Sequence, residues 1–508
     1  MAYWGIAYAI GPNYNRAWKL FDEDGLRSSV DEATKALSRA VPLAEQTRVA
    51  PVEKALITAL ITRFPASVDT IPSDLKVLNE AYANAMRDVY ANHSDDIDVA
   101  GFFAEALMCI SPRELWNIET GLPSGSHTVE ARTVIEKGLA SPDGYSHPVL
   151  CHLYIHLMEM SPYPEKALAP ADRLRHLVPD SSHLLHMPVH IDMAVGDYRR
   201  GIDSSQASII ADDKYFALSQ SGGATAAKGL LVAYRMHNVN GQLYCAFISG
   251  RSRDAISAAL KLESVVDDDI LSITNPPVAD WTEGFLGSLA HVYVRFGRWD
   301  DILAMSLPAN RELYPSKTAT ILYARGIAYS ALGQLDNARA AQAEFEASRA
   351  FVPPSRMNSL PSKQSDVLAI ASAMLKGELL YREGKHDAAF ETLRHAVVLE
   401  DSLPYADPPP WMQPVRHALG GLLLEQGRVE EAEDVFREDL GMKAGFPRRK
   451  ARLNNVWGLH GLHECFVKLG KFDQAQCIEV ARDIALGGAD VDISTSCYCR
   501  LSAVSKCC

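Results

Sequence analysis

Histidine carries the chemistry most visible in this chain. Six of its 16 histidines fall between residues 152 and 190. His152 and His156 stand four apart in CHLYIHLMEM, and Glu159 follows three residues later. His183, His186 and His190 recur at i, i+3 and i+7 in HLLHMPVH. On a helix each set shares one face. Neutral imidazole is the commonest protein ligand for transition metals. A carboxylate beside it ligates the ion or orients a ring. Zinc, iron, copper and nickel all suit this donor set, so the residues point to a divalent transition metal without choosing one. A metal held in this way activates water or oxygen, or polarises a carbonyl, and Glu159 is the candidate general base. The competing reading is that these histidines are packed and hydrogen-bonded; for any single one of them that reading is the commoner. Pro188 interrupts the second set. It removes a backbone hydrogen bond and is expected to kink the helix, aiming His183 and His186 differently from His190.

The elements that must position these side chains are helices in tandem. From residue 140 to 485 a pattern recurs: a helix, a turn glycine, and a small or apolar residue five positions on. The pairs are Gly196 and Gly201, Gly250 and Ala255, Gly297 and Ile302, Gly333 and Ala338, Gly384 and Ala389, Gly427 and Ala432, Gly470 and Ala475. The glycine ends the first helix in a left-handed conformation. A small residue lets the second helix approach the first, and apolar residues at helical spacing bury the contact. Each match is degenerate alone; seven in series are specific.

These residues resemble the tetratricopeptide repeat, a helix–turn–helix unit of about 34 residues. The resemblance implies an all-α fold, a tandem helix–turn–helix array coiled into a right-handed superhelical solenoid. It also implies a face for each histidine. In the repeat frame His183, His186 and His190 fall at positions two, five and nine of a helix A. His152, His156 and Glu159 fall at five, nine and twelve of the preceding one. Those positions line the concave groove in tetratricopeptide repeats. His237 falls at position two of the next repeat and His291 at position nine of the one after. The resemblance implies groove-facing side chains, and imidazole chemistry then makes His152, His156, His183, His186, His190 and His237 the expected metal set. The segment 152–198 is further similar to microbial tetratricopeptide-containing proteins that carry the same His-x3-His and His-x2-His-x3-His arrangement. The similarity extends to His237-Asn238, the Trp281–Glu283 segment, Pro408–Trp411, and the Ser496–Cys499 tail.

The expected organisation is residues 1–140 as degenerate helical repeats, 141–262 as the histidine-rich repeats, 263–485 as the later repeats, and 486–508 as a cysteine-rich tail. MAYWGIAYAI reads as an amphipathic helix, a first repeat helix whose partner is missing. It lacks the basic lead and cleavage site of a secretory signal. FVPPSRMNSLPSK and SLPYADPPPWMQP are loops that interrupt the array.

The 508 residues carry a net charge of −13 and no basic stripe, which argues against nucleic acid as a partner. No apolar run reaches the roughly 18 residues a membrane span needs. With no secretory signal the expected compartment is the cytoplasm, with reduced thiols. Cys109, Cys151, Cys245, Cys465 and Cys477 read as small buried hydrophobes. Cys497 and Cys499 are a weak candidate metal pair, and Cys507-Cys508 resembles a prenylated end. Trp457, His460 and Glu464 share a helix face and read as groove surface or as a ligand contact, and Glu105 reads as a helix-packing acid or a further metal ligand. Three functions follow: a metalloprotein or metal-dependent enzyme acting on a small molecule, a scaffold holding a protein or peptide in the groove, and a non-catalytic accessory factor of a biosynthetic pathway.

Overall fold

The computed structural model describes residues 1–46, 48–219 and 228–500. It divides into two compact units, Met1–Leu177 and Val178–Cys508. Nearly all regular structure is helical, and among the described residues the only strands are the short antiparallel pair β1 (Met357–Ser359) and β2 (Ser362–Lys363). No helix among the described residues is long and apolar enough to cross a membrane.

The first unit contains α1 (Ala2–Ile10), α2 (Glu23–Ala44), α3 (Pro51–Ile61), α4 (Lys76–Asn92), α5 (Ile97–Met108), α6 (Ser126–Leu139), α7 (Pro148–Glu159) and α8 (Leu168–Leu177). Short polar residues start several of them. Asp22 accepts from the Gly25 N–H to open α2, and Asp96 accepts from Asp98 and Val99 to open α5. Each satisfies donors that a helix start leaves unpaired. Pro148 takes the first position of α7, where its missing N–H costs nothing. The N-terminal helix is not without partners. Trp4 of α1 donates to the Leu56 carbonyl at 3.1 Å, and Tyr8 donates to Glu105 at 2.8 Å. Glu105 also faces the guanidinium of Arg63 at 3.4 Å, with Arg63 fully buried. Glu105 is thus a packing acid, as its sequence context predicts.

The second unit contains α9 (Ser182–His186), α10 (Pro188–Val195), α11 (Tyr198–Ser219), α12 (Lys228–Ile248), α13 (Ser252–Val265), α14 (Asp268–Leu271), α15 (Val278–Thr282), α16 (Ser288–Arg295) and α17 (Trp299–Ala304). It continues with α18 (Pro315–Ala331), α19 (Leu335–Arg349), α20 (Gln364–Arg382), α21 (His386–Asp401), α22 (Val415–Glu425), α23 (Val429–Asp439), α24 (Val456–Lys468) and α25 (Phe472–Gly488). Seven turn glycines predicted from the repeat (196, 250, 297, 333, 384, 427 and 470) all have φ between +64° and +77°. Each therefore ends a first helix as its spacing requires. The helices then pack as consecutive antiparallel pairs, α18 on α19 and α20 on α21 among them. Close packing depends on missing side chains. A Cβ on Gly420 of α22 or on Gly461 of α24 would lie 2.4 Å from the ring of Phe436 in α23. Phe436 is fully buried by that approach, a burial worth about 2–3 kcal/mol.

Two sequence expectations change here. Cys477 is exposed, because it falls on the outer side of α25, while Cys109, Cys151, Cys245 and Cys465 are buried. Cys497 and Cys499 are joined to each other in a disulfide, so neither sulfur is available as a metal thiolate. Cys507 and Cys508 lie outside the described residues.

Residues 489–500 do not extend the array. They run without regular structure along the A helices of the second unit. Asp490 accepts from the Ser252 and Arg253 N–H groups at the start of α13. Arg295 at the end of α16 donates to the Ser496 carbonyl at 2.6 Å, Arg382 of α20 to the Cys499 carbonyl, and Arg500 pairs with Glu464 of α24. Trp457, predicted as groove surface, is buried beneath this segment, with Tyr498 against its ring.

Candidate metal centre

The predicted ligands fall into one set in each unit. In the first, α7 presents His152, His156 and Glu159. Glu159 and His156 are buried, and Glu159 Oε1 stands 2.9 Å from His156 Nδ1. A carboxylate on one ring nitrogen fixes the tautomer, so Nδ1 carries the proton and the buried Nε2 keeps its lone pair. His152 packs its ring edge on His156 at 4.8 Å between centroids, Tyr14 tilts against the other side at 4.7 Å, and the Asn15 amide nitrogen lies 3.4 Å from His152 Nε2. The i, i+4 spacing places both rings on one face, as expected.

In the second unit α9, α10 and α12 bring His186, His190 and His237 together. One ring nitrogen from each lies within 4.8 Å of the others. Ring centroids are 5.0 Å apart for His186 and His190, 4.5 Å for His186 and His237, and 5.8 Å for His190 and His237. His186 and His190 are buried and His237 is half-buried. The Pro188 break does not separate the first two. Pro188 ends α9 and opens α10, but Met187 keeps helical dihedrals (φ −50°, ψ −39°). The i, i+4 geometry therefore survives the lost hydrogen bond. His183 lies one turn earlier, with its ring edge on Tyr234 at 5.5 Å.

The Nε2 atoms of His186 and His190 are 3.1 Å apart. Two neutral lone pairs do not face each other at that distance. Either one ring donates its N–H to the other, or both nitrogens hold a common cation. Two nitrogens bound tetrahedrally to one zinc at about 2.0–2.1 Å each are separated by about 3.3 Å. The observed 3.1 Å fits either arrangement for this pair, and the third ring places a nitrogen within 4.8 Å of both. Three protein nitrogens would leave a fourth position open, the pattern of metal sites that bind water or substrate.

Supporting residues come from places the repeat pattern does not mark. Gly241 sits one turn along α12 from His237, and a Cβ there would lie 3.0 Å from His186 Cε1 and 3.3 Å from Ser205 Oγ. Its missing side chain is what admits the His186 ring. Asp407, from the proline-rich loop, places Oδ2 at 3.8 Å from His190 Nδ1. The same carboxylate accepts from Arg449 at 3.1 Å and from the Tyr405 hydroxyl. Asn238 donates to Asp212 at 2.8 Å, tying α12 to α11. Burial pushes the Asp212 carboxyl above its usual range. The signal available in sequence for Asp407 was only its place in an interrupting loop. Gly241 was visible only as a glycine inside a helix.

His291 joins neither set. It packs edge-on against Trp411 at 5.0 Å, and burial lowers its pKa to about 4. His460 and Glu464 line the path of residues 489–500 instead of an open surface.

No protein-family model matches the chain, and no curated protein matches it in sequence. Solved structures similar to it include a monomeric mutant of IFIT1 with m7Gppp-AAAA, at 11% identity over 95% of this chain and 94% of that one, TM-score 0.34. Another is the TPR domain of P58(IPK), at 15% identity over 75% and 93%, TM-score 0.19. A third is the APC/C hetero-tetramer Cut9-Hcn1, at 12% identity over 93% and 98%, TM-score 0.23. The chain's own helix pairing and its left-handed turn glycines make it an all-helical, tetratricopeptide-like repeat array.

Proposed function

We propose that this repeat protein is a metalloprotein whose His186, His190 and His237 hold one divalent transition metal, zinc, iron or copper, with a fourth position open to water or a small molecule. The observation that carries the reading is the 3.1 Å approach of two buried imidazole nitrogens with a third ring beside them. Asp407 would orient His190 from behind, as carboxylates orient metal-bound imidazoles. A bound metal supplies Lewis acidity and a lowered pKa for its water. His152, His156 and Glu159 form a second imidazole–carboxylate set, and a role for Glu159 as general base belongs to the same proposal. A transformation of a small molecule within a biosynthetic sequence fits an open metal position.

The competing scaffold reading needs the A-helix face for a protein or peptide. Residues 489–500 cover much of that face in the second unit, which weighs against it there. Elemental analysis of untagged protein, before and after reconstitution with zinc, ferrous iron and copper, tests the metal. One equivalent is expected, lost in His186→Ala and in His237→Ala. Retention of the metal in both variants, or no metal bound at all, would leave the scaffold reading ahead.

A further inference from the structure

We propose that Cys497 and Cys499 form a thiol–disulfide exchange site that locks residues 489–500 onto the A-helix face of the second unit, and that a dithiol reductant releases them. The two cysteines are bonded to each other, with Cα atoms 5.2 Å apart and one residue between them. That Cα separation lies within the range bridged cysteines adopt. A bridge between such near neighbours closes almost no loop, so it constrains the unfolded chain little and staples no distant parts of the fold. What it does fix is the local shape of the segment that carries it.

That shape is what the groove reads. The contacts on either side of the bridge are made to main-chain carbonyls: Arg295 to Ser496, and Arg382 to Cys499. Their spacing along the groove is set by the turn that Cys497 and Cys499 close. Thr495 Oγ1 donates to the Cys497 carbonyl at 3.0 Å, and the Ser496 hydroxyl reaches the His417 carbonyl at 3.1 Å. Arg295 is itself held rigidly. Its guanidinium lies 3.6 Å over the Trp457 ring and donates to His417 Nδ1 at 3.2 Å. Because an arginine only donates, His417 must accept there and donate through Nε2 to Asp439, 2.9 Å away. The receiving side is therefore a preformed, buried clamp, and the tail must fit it.

Both sulfurs are buried, facing a cavity of about 20 Å³ lined by Tyr323, Met374, Glu378 and Gln413. That space admits a water molecule and nothing larger. A reductant reaches the bridge only when the segment lifts, so reduction and release are coupled. A thiolate of the dithiol attacks one sulfur, the S–S bond breaks, and the other cysteine leaves as thiolate. The second thiol of the reductant resolves the mixed disulfide. The dithiol ends as its own disulfide, and Cys497 and Cys499 each end as thiols, with two electrons and two protons transferred.

Trypsin isolates the site, since the peptide 483–500 contains Cys497 and Cys499 as its only cysteines. In full-length protein purified without reductant and alkylated, this peptide is expected unmodified and lighter by two hydrogens. After dithiothreitol it is expected doubly alkylated. Hydrogen exchange of 489–500 is expected to speed up about tenfold or more on reduction, because the backbone contacts open, while α18 and α19 are unchanged. The Cys497→Ser/Cys499→Ser variant is expected to exchange fast in both conditions. A peptide already alkylated before reduction, or exchange at 489–500 that does not change on reduction of the wild-type chain, would overturn the proposal. The wild-type comparison decides even if the variant fails to fold.

Discussion

His186 Nε2 and His190 Nε2 stand 3.1 Å apart across the proline that divides α9 from α10. The proline removes one backbone bond, and helical dihedrals at Met187 preserve the turn. The pair is therefore built by local backbone geometry, and only the third ring, His237, depends on tertiary packing. Its helix, α12, must come close enough to α9 for imidazoles to meet.

That approach passes through Gly241. Replacing it by alanine places a methyl group 3.0 Å from His186 Cε1, so the ring must shift by a few tenths of an ångström. Metal sites tolerate little displacement of a ligand, and a disturbed supporting shell costs roughly tenfold in affinity. The backbone gains: alanine is favoured over glycine in a helix interior by about 1 kcal/mol. Gly241→Ala is expected to bind metal roughly tenfold more weakly with an unchanged or raised melting temperature. Competition with a chromophoric chelator, alongside thermal unfolding of the metal-free protein, measures both. Equal affinity in the two proteins would show that His186 is not a ligand.

Asp407 lies beside the Nδ1 edge of His190. The carboxylate pairs with Arg449 and accepts from Tyr405 while its Oδ2 lies 3.8 Å from His190 Nδ1. Asp407→Asn keeps the shape but removes the charge that, in the proposed site, would stabilise a metal-bearing imidazole. The expected result is a loss of about 10- to 100-fold in metal affinity, measured by the same competition. Because Arg449 is buried, the variant also leaves a cation poorly compensated, and a lower unfolding midpoint is expected. Asp407→Glu, which keeps the charge, is expected to recover part of the affinity.

The architecture was legible because its determinants are local. A left-handed glycine between two helices leaves a mark at fixed spacing, and all seven marked glycines adopt that conformation. The pairing of His186 with His190 was legible for the same reason, a helical period of 3.6. Asp407 and Arg449 were not legible, since they sit on loops whose placement is decided by packing, without periodicity. Nor was the position of 489–500: Trp457, His460 and Glu464 were correctly placed on one helix face, but nothing local says that the chain returns to cover that face.

Glu105 offers a test of buried charge in the first unit. It accepts from Tyr8 and faces Arg63, whose guanidinium lies over the Tyr82 ring at 4.7 Å. Burial alone would weaken the Arg63 cation, and the neighbouring Glu105 outweighs it, so the arginine stays charged. Glu105→Ala strands that charge and is expected to destabilise the protein by about 3–5 kcal/mol. Replacing both partners, Arg63→Met with Glu105→Leu, is expected to restore most of the loss, since two desolvation costs vanish together. Urea unfolding of the three proteins measures the difference. A single variant no worse than the double would mean the pair is solvated in solution.

His291 gives the stability a pH dependence whose sign is fixed by its surroundings. Edge-on to Trp411 and tilted against Tyr323, it is desolvated, and burial lowers its pKa from 6.5 to about 4. The folded pKa is below the unfolded one, so the unfolded chain binds the extra proton between those values. Stability is therefore complete above about pH 6.5 and falls as the pH drops towards 4. Between pH 7 and pH 5 this one group is expected to remove about 2 kcal/mol. His417, His460 and His463, also lowered mainly by burial, act in the same direction, so the total slope is not diagnostic. The difference between wild type and His291→Gln is. The variant cannot take up a proton there, so it is expected to start less stable at pH 7 and to lose less on acidification, the two unfolding midpoints converging near pH 5. Parallel curves would mean that His291 is already protonated, or solvated, in the folded state.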